Sequence, residues 1–470
     1  MNKITDHILC KVEKPARYVG GELNEIIKNP EEVDIRFAFC FPDVYEVGMS
    51  HLGTRILYHT INERKDTYCE RVFAPWPDME EQLRKNNISL CTLETKTPLK
   101  EFDILGFTLQ YEMSYTNILN MLDMSGVTIR AEERGEDEPL VMAGGPCAYN
   151  PEPLVGIVDF FEIGEGEEMM DDVLGVYAKY KKGKWDKKAF LREISKIGGI
   201  YVPSLYDVEY NEDGTIKSFK PKYDDVPAVV KKRIINNFDR VSFPENMIVP
   251  YTEIVHDRIV LETFRGCTNG CRFCQAGMIY RPVREKSKET LVKQARNMLK
   301  STGYQEVSLS SLSTCDYSDI EGLIHDLMEE HEKDKVAIAL PSIRVDAFSV
   351  DLIKEIQKVK KTGLTFAPEA GSQRMRDIIN KGLTEERILE ATRNAFESGW
   401  NKIKLYFIIG LPYETLEDCA GIGDLAGKMA DEYFALPKNV RAKGLSITVS
   451  TSILVPKPFT PFQWAPMARL

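Results

Sequence analysis

Residues 258–274 read RIVLETFRGCTNGCRFC, an apolar run followed at once by three closely spaced cysteines. The run Arg258–Phe264 is rich in apolar and β-branched residues, so it predicts a buried strand. Cys267, Cys271 and Cys274 then fall in the loop after that strand, with the spacing C-x3-C-x2-C. Because clustered cysteines without a disulfide context favour metal binding, the pattern predicts a metal-binding or cluster-binding loop at a strand end.

The chain after residue 250 repeats a strand–helix order. Stretches with helical periodicity separate predicted strands at 258–264, 305–311, 335–341, 363–368, 402–410 and 445–456. This alternation predicts a partial (β/α)6 TIM-like barrel, with six units instead of the usual eight. Chemistry in such barrels lies at the carboxyl ends of the strands, which is where the cysteine loop is expected.

The first 184 residues alternate in the same way with a shorter period. Strands are predicted at 34–41, 69–74, 88–94, 103–109, 139–145 and 158–164. Buried strands that alternate with helices are typical of a doubly wound, Rossmann-like parallel sheet. We therefore expect three parts: a Rossmann-like domain at 1–184, a connector with a hairpin around Asp213–Gly214 at 185–249, and the barrel domain at 250–470.

Composition limits the classes of partner. The chain has 470 residues, 43% of them hydrophobic, and a net charge of −11. The acidic balance argues against general polyanion binding but does not exclude nucleic acid, since a local basic patch suffices. No apolar run is long enough for a membrane span and the N-terminus lacks a secretory signal, so we expect no membrane partner and a cytoplasmic location, where thiols stay reduced.

Three cysteines allow more than one kind of site. Structural zinc normally takes four ligands, and no second cysteine pair or nearby histidine is evident. Iron–sulfur cubanes normally take four thiolates, so three would leave one iron open to another ligand. A structural metal loop, or a chance cluster, is the alternative interpretation.

The segment CTNGCRFC, from Cys267 to Cys274, resembles the motif of the radical S-adenosylmethionine (radical SAM) superfamily, with Phe273 as its aromatic residue. The resemblance implies a [4Fe-4S] cluster held by Cys267, Cys271 and Cys274, with SAM on the open iron. It implies that an electron from the cluster splits SAM into methionine and a 5′-deoxyadenosyl radical, which then takes hydrogen from a substrate. An electron donor such as flavodoxin or ferredoxin is implied as a partner, while the substrate is not identified.

The same resemblance assigns further residues to SAM. Ser310 and Ser311 end the second predicted barrel strand, where relatives contact the methionine part, and Glu369 ends the fourth, where relatives bind the ribose. Gly410 lies in the segment that resembles the adenine contact. Cys315 is a candidate for a chemical role, although cysteine is more often a small buried apolar residue.

The N-terminal half resembles the radical SAM subgroup that carries a cobalamin-binding domain. Gly144 and Gly145 lie in a segment that wraps the corrin in that subgroup, and glycines let the backbone approach a flat ligand closely. The motif D-x-H-x-x-G, whose histidine binds cobalt, is not formed by any of the six histidines. A sheet that binds no corrin and only shapes the active site is therefore the alternative.

Three hypotheses of function follow. The first is a radical SAM enzyme that cleaves SAM reductively and transfers a methyl group from cobalamin to an unidentified substrate. The second is a cobalamin-free RNA-modifying or methylthiotransferase-like enzyme, which would need a second cluster from the scattered remaining cysteines. The third is an iron–sulfur electron carrier or sensor, which would need none of the SAM-contacting segments.

Overall fold

The computed structural model describes residues 4–339 and 364–468, apart from the side-chain burial of residue 332. The chain divides into two compact units, a first unit that ends at Asp257 and a second that begins at Arg258. The boundaries predicted at 184 and 249 stay predictions. Among the described residues, every helix is too short or too polar to cross a bilayer.

The first unit is built on a six-stranded sheet in the order β2-β1-β3-β4-β5-β6. The strands are β1 (Ile35–Phe41), β2 (Thr67–Phe73), β3 (Ile104–Thr108), β4 (Leu140–Gly144), β5 (Phe160–Glu162) and β6 (Ile200–Tyr201). Neighbours from β2 to β5 pair in parallel, and only the short edge strand β6 runs antiparallel. The predicted doubly wound α/β sheet is confirmed.

Helices cover the faces of this sheet and bury its apolar strands. They are α1 (Asp6–Leu9), α2 (Tyr45–Ser50), α3 (Leu52–Glu63), α4 (Pro77–Lys85), α5 (Tyr115–Ser125), α6 (Gly166–Lys182) and α7 (Lys187–Ile194). Strand residues such as Phe37, Leu105 and Phe160 are fully buried. Near-continuous apolar strands of this kind are typical of a parallel sheet covered on both faces.

The strand predicted at 88–94 is wrong. Its backbone forms isolated hydrogen bonds instead of a regular ladder: Leu93 donates to the carbonyl of Arg71 in β2, and Leu90 to that of Met124 at the end of α5. One isolated bridge joins Cys91 to Pro98. The apolar residues of this segment are buried under the sheet edge, which explains why their pattern resembled a strand.

Residues 185–257 belong to the first unit by their contacts. The predicted hairpin is confirmed as β7 (Tyr206–Tyr210) and β8 (Ile216–Pro221), which pair antiparallel. Beyond it the chain is irregular, and Arg233 forms a parallel bridge with Gly164. Asn24 donates its side-chain amide to the carbonyl of Met247, which ties this segment back to the N-terminus.

The second unit contains the predicted barrel strands. They are β9 (Ile259–Glu262), β10 (Phe264–Arg265), β11 (Arg284–Glu285), β12 (Glu306–Ser310), β13 (Ala337–Ala339), β14 (Leu364–Glu369), β15 (Lys402–Ile409) and β16 (Ser446–Ile453). Two parallel sheets form, in the orders β13-β12-β9 and β14-β15-β16. Residues 340–341 and 363 of two predicted strands lie outside the described residues.

The helices of this unit follow its strands. They are α8 (Ala276–Ile279), α9 (Lys288–Thr302), α10 (Ile320–His331), α11 (Gln373–Ile378), α12 (Glu385–Glu397) and α13 (Leu416–Ala435). The sequence did not predict α13, since Gly421, Gly423 and Gly427 lower its helix propensity. A capping box of Thr415 and Asp418 starts it all the same.

Candidate functional site

The cysteine loop follows β9 and the short strand β10 at the carboxyl end of the β13-β12-β9 sheet. Gly266 starts the loop with a φ of +92°, and a Cβ there would lie 2.7 Å from the carbonyl oxygen of Pro282. No residue with a side chain fits this position without moving the backbone. The loop therefore turns sharply out of the strand and presents Cys267, Cys271 and Cys274, each half-buried, at the strand end.

Hydrogen-bond donors point at the sulfurs of Cys267 and Cys274. Asn269 places its side-chain Nδ2 3.2 Å from Cys267 Sγ, and the backbone N–H of Gly277 lies 3.4 Å from Cys274 Sγ. Donors of this kind stabilise negative charge on sulfur, and the thiolate is the form that binds iron. These surroundings fit thiolate ligands of a cluster.

The arrangement does not resemble a mononuclear site. Within residues 4–339 and 364–468, no three His, Cys, Asp or Glu side chains converge on a point that could hold a single ion. A [4Fe-4S] cubane places each thiolate on a separate iron, so its ligands need not converge in that way. Three thiolates at one strand end fit a cubane with one iron left open.

The segment 378–381, after α11, packs directly against the cysteine loop. The N–H of Arg272 donates to the carbonyl of Ile379 at 2.9 Å. Asn380, at a φ of +54°, donates its side-chain amide to the carbonyl of Gly270 at 3.0 Å. These bonds hold the loop to the chain that follows β14.

Lys381 connects this contact to Glu369. Its Nζ lies 3.1 Å from Glu369 Oε1 and 6.0 Å from the centroid of the Phe273 ring. Glu369 has a φ of +67°, an unusual conformation for a residue with a side chain, and it lies at a bulge that ends β14. Burial raises the pKa of Glu369 although Lys381 opposes the shift. A strained, partly buried carboxylate beside the cysteine loop is typical of a ligand-binding position.

Ser310 ends β12 and lies opposite Glu262, the last residue of β9. Glu262 is surrounded by cations, and Arg265 binds it through Nε at 2.8 Å. Burial alone would raise the pKa of the Glu262 carboxyl, but Arg265, Lys286 and Arg284 hold it below its ordinary value. The strand ends beside Ser310 thus carry a net positive charge, which suits an anionic group such as a carboxylate.

The turn after β12 also contacts the cysteine loop. Ser311 donates its hydroxyl to that of Thr314 at 3.2 Å, and Asp316 accepts from the side chain of Asn269 at 3.2 Å. Cys315 lies in the same turn and is half-buried. Ser311 and Cys315 therefore lie in the turn after β12. The hydrogen bond between Asp316 and Asn269 connects this turn to the cysteine loop.

Gly410 follows β15 with a φ of +76°. Its N–H and that of Leu411 both donate to the carboxylate of Glu414, at 2.5 and 3.3 Å. Leu411 packs in a small apolar cluster with Ala370, and Phe273 of the cysteine loop packs against this cluster. The ends of β14 and β15 and the cysteine loop therefore share one patch of packing.

Gly144 and Gly145 lie in the first unit, at the carboxyl edge of its sheet. The carbonyl of Gly144 accepts from the N–H of Leu109, 2.7 Å away, which joins the loops after β3 and β4. His51, after β1, hydrogen-bonds to Gln110, and burial lowers the pKa of this histidine to about 4. The loops after β1, β3 and β4 meet at this edge, where open parallel sheets bind ligands.

Gly145 has a backbone conformation that favours glycine, whereas Gly144 does not. Gly145 has a φ of +103°, and a Cβ would lie 2.9 Å from the carbonyl oxygen of Leu109, whereas a Cβ on Gly144 would make only ordinary contacts, the nearest 3.5 Å away. We expect Gly145→Ala to destabilise the fold by about 2 kcal/mol, whether or not a ligand binds, and Gly144→Ala to leave stability nearly unchanged. Thermal melts of both variants check this, and equal melting temperatures would contradict it.

A tyrosine occupies the histidine position of the cobalamin motif. Residues Asp43–Gly48 read DVYEVG, which matches D-x-H-x-x-G except that Tyr45 replaces the histidine. A search restricted to the chain's histidines missed this match. Tyr45 is 2% exposed, donates its hydroxyl to Glu22, and packs edge-on against Phe73. Its side chain belongs to the core and not to the ligand edge.

Family models match both units. The model of the radical SAM superfamily matches residues 261–426, and the model of the N-terminal region of radical SAM proteins matches residues 53–203. The chain belongs to the radical SAM superfamily. Its members are enzymes, and membership implies a [4Fe-4S] cluster and SAM.

Relatives of this radical SAM protein differ in how much of it they match. An uncharacterized protein of Methanocaldococcus jannaschii is 28% identical and covers 91% of this chain and 78% of its own length. An uncharacterized methyltransferase of Pyrococcus horikoshii is 23% identical, over 71% of this chain and 66% of its own length. A tRNA-2-methylthio-N(6)-dimethylallyladenosine synthase of Desulforamulus reducens is 26% identical, over 38% of this chain and 41% of its own.

A solved structure shares the fold of this chain along most of the length of both proteins. It is the radical SAM methyltransferase TsrM from Kitasatospora setae, with cobalamin and a [4Fe-4S] cluster bound. The TM-score is 0.56 at 13% identity, and the match covers 91% of this chain and 77% of that one. The likeness confirms a Rossmann-like sheet followed by a radical SAM barrel.

Proposed function

We propose that this radical SAM enzyme cleaves one SAM molecule reductively and uses bound cobalamin to transfer the methyl group of a second SAM molecule to a substrate. A [4Fe-4S] cluster with one open iron, when bound, supplies the electron that splits SAM into methionine and the 5′-deoxyadenosyl radical. A small electron donor such as flavodoxin or ferredoxin restores that electron. The substrate is not assigned.

Residues of the second unit hold and orient the reactants. Cys267, Cys271 and Cys274 bind the cluster, and the donors at Asn269 and Gly277 stabilise their thiolates. SAM lies across the strand ends. Its methionine part contacts Ser310 and Ser311, its ribose hydroxyls donate to Glu369, and its adenine lies against the backbone at Gly410.

The single observation that supports this proposal most is the link through Lys381. One side chain contacts both Phe273 of the cysteine loop and Glu369 of β14. An iron–sulfur carrier has no need to connect its cluster loop, after the first barrel strand, to a strained carboxylate at the end of the fourth. A SAM site needs this connection, because bound SAM must extend from the open iron to Glu369, the residue that binds its ribose.

The test is a single reaction under anaerobic conditions. The chain is reconstituted with iron and sulfide, reduced with dithionite, and incubated with SAM. We expect 5′-deoxyadenosine and methionine in equal amounts, and none without dithionite. Formation of neither product by a fully iron-loaded chain would refute the proposal.

Glu369 provides a prediction on SAM affinity. We expect Glu369→Ala to weaken SAM binding about tenfold or more, because a hydrogen bond to a charged group is worth roughly 1.5–3 kcal/mol. Lys381→Met should weaken it less, since Lys381 orients the carboxylate without touching SAM. Calorimetry on the reconstituted protein measures both dissociation constants, with the iron content checked.

The matched control is Glu390→Ala, at an exposed position of α12 in the same unit. Its SAM dissociation constant should equal that of the parent. If Glu369→Ala binds SAM as tightly as Glu390→Ala does, Glu369 does not contact the ribose.

The corrin part of the proposal rests on the first unit. Its loops after β1, β3 and β4 meet at the carboxyl edge of the sheet, and Gly144 is the last residue of β4. The fold likeness to a cobalamin-bound methyltransferase supports the same assignment. Because Tyr45 is a core residue, we propose that cobalt receives no protein ligand from that position.

A methylthiotransferase without cobalamin is the second candidate, favoured by the similarity to the Desulforamulus reducens enzyme. It requires a second cluster. Cys40 and Cys69 are buried in β1 and β2, and burial raises the pKa of both thiols far above the ordinary value, so they resist forming thiolates. Iron analysis separates the candidates: about four irons per chain support one cluster, and about eight support the methylthiotransferase.

A further inference from the structure

One buried carboxyl of the first unit has an oxygen without a hydrogen-bond partner among the described residues. Several other buried acids there are paired with cations: Glu22 and Glu94 with Arg71, Glu70 with Arg36, and Asp159 with Arg134 and Lys187. Glu162, the last residue of β5, is only 3% exposed. Its Oε1 is fully buried and has no hydrogen-bond partner among the described residues. A buried polar atom left without a partner lowers stability, so its presence calls for an explanation in function.

Glu162 lies at the carboxyl edge where the sheet is expected to bind its ligand. It pairs in register with Gly144, and a Cβ on Gly144 would lie 3.5 Å from Glu162 Cβ. On the helix side, a Cβ on Gly166 would lie 3.4 Å from Glu162 Oε2 and 3.2 Å from Leu57 of α3. The carboxyl therefore lies between β4, α3 and the first residue of α6.

The two glycines beside this carboxyl are not required by the backbone. Neither Gly144 nor Gly166 has a positive φ, and a Cβ on either would meet nothing closer than 3.2 Å. Side chains at these positions would instead narrow the space around the carboxyl. Two glycines that flank an unpaired polar group leave room for a ligand to approach it.

The surroundings of Glu162 favour the protonated form of its carboxyl. Burial, with a smaller contribution from the nearby carboxylate of Glu167, raises the pKa of Glu162 to about 8. A protonated carboxyl has one O–H donor and one carbonyl acceptor side by side. A primary amide presents the complementary pair, a carbonyl acceptor and an N–H donor, so the two groups can form two hydrogen bonds at once.

We propose that the Glu162 carboxyl binds a primary amide on the rim of a corrinoid ligand at this edge. The inference rests on the corrin binding proposed above and adds a specific contact to it. Corrinoids carry primary amides around the ring, and a paired amide would satisfy the polar atom that the protein leaves unpaired. Glu162 is thus a ligand-binding residue that neither the motif at Asp43–Gly48 nor the glycine pair indicates.

The test measures hydroxocobalamin binding to the full chain by equilibrium dialysis. We expect Glu162→Gln to bind within about threefold of the parent, because glutamine keeps a donor and an acceptor in the same place. Glu162→Leu should bind about tenfold more weakly or worse, since two hydrogen bonds are lost. The control is Glu168→Gln on α6, which removes an exposed ion pair with Arg233. It should bind hydroxocobalamin as the parent does.

A melt of each ligand-free variant separates binding from folding. Glu162→Leu should melt at or above the temperature of the parent, because it removes an unpaired buried polar group. A lower melting temperature together with lost binding in both Glu162→Gln and Glu162→Leu would show a structural role and overturn the inference. Equal corrin binding by Glu162→Leu and the parent would overturn it while leaving corrin binding intact. Failure of the parent itself to bind hydroxocobalamin would overturn both proposals.

Discussion

We expect Cys271→Ala to abolish the brown chromophore of the reconstituted protein and to reduce 5′-deoxyadenosine formation to background. Cys271 is the middle ligand of a loop whose ends are fixed by Gly266 and by the N–H of Gly277. With two thiolates left, the cluster loses a corner ligand, and the loop holds no fourth cysteine to replace it. The same loss is expected for Cys267→Ala and Cys274→Ala.

Cys10→Ala is the matched control. Cys10 is exposed and lies in the first unit, so its removal changes the thiol count without touching the loop. We expect full iron content and full SAM cleavage in this variant. Parent-level 5′-deoxyadenosine from Cys271→Ala would show that the cluster is bound elsewhere.

We expect Gly144→Val to abolish the proposed corrin retention and to leave SAM cleavage intact. The position accepts a Cβ without strain, and valine is favoured in strands, so the fold should persist. A branched side chain at the end of β4 would occupy the space that the flat ligand needs beside Glu162. The measurement is the corrin absorbance that remains after incubation with hydroxocobalamin and desalting, with 5′-deoxyadenosine measured on the same sample.

Gly175→Ala serves as its control. Gly175 lies in the middle of α6, and nothing is within 4 Å of a Cβ built there. This variant should retain one corrin per chain, as we expect of the parent. Corrin retained equally by Gly144→Val would place the ligand elsewhere or show that the edge binds none.

Much of the fold could be predicted because strand signals are local. The six barrel strands and the parallel sheet of the first unit each follow from a short apolar run and the helix after it. The segment 88–94 has the same composition but forms isolated hydrogen bonds to β2 and α5 instead of a ladder, and only tertiary contacts decide between the two outcomes. Helix α13 was hidden by three glycines whose cost is offset by packing of Ile422, Leu425 and Met429.

The candidate site was predictable only where a motif marks it. Cys267, Cys271 and Cys274 were found from their spacing, and the model places all three at a strand end. Lys381 and Asn380 were missed, because their contacts to the cysteine loop join residues more than 100 positions apart. Glu162 was missed for a similar reason: its sequence position inside an apolar strand gives no sign that its carboxyl lacks a partner.

The central claim is that three cysteines leave one iron of a cluster open to SAM. The most direct test is the electron paramagnetic resonance spectrum of the reconstituted chain, reduced anaerobically with dithionite and recorded with and without SAM. A SAM molecule bound to the open iron changes the electronic structure of the cluster, so we expect the spectrum of the reduced cluster to shift when SAM is added. A strong reduced-cluster signal that is unchanged by saturating SAM would contradict the claim and indicate a closed cluster of the electron-carrier kind.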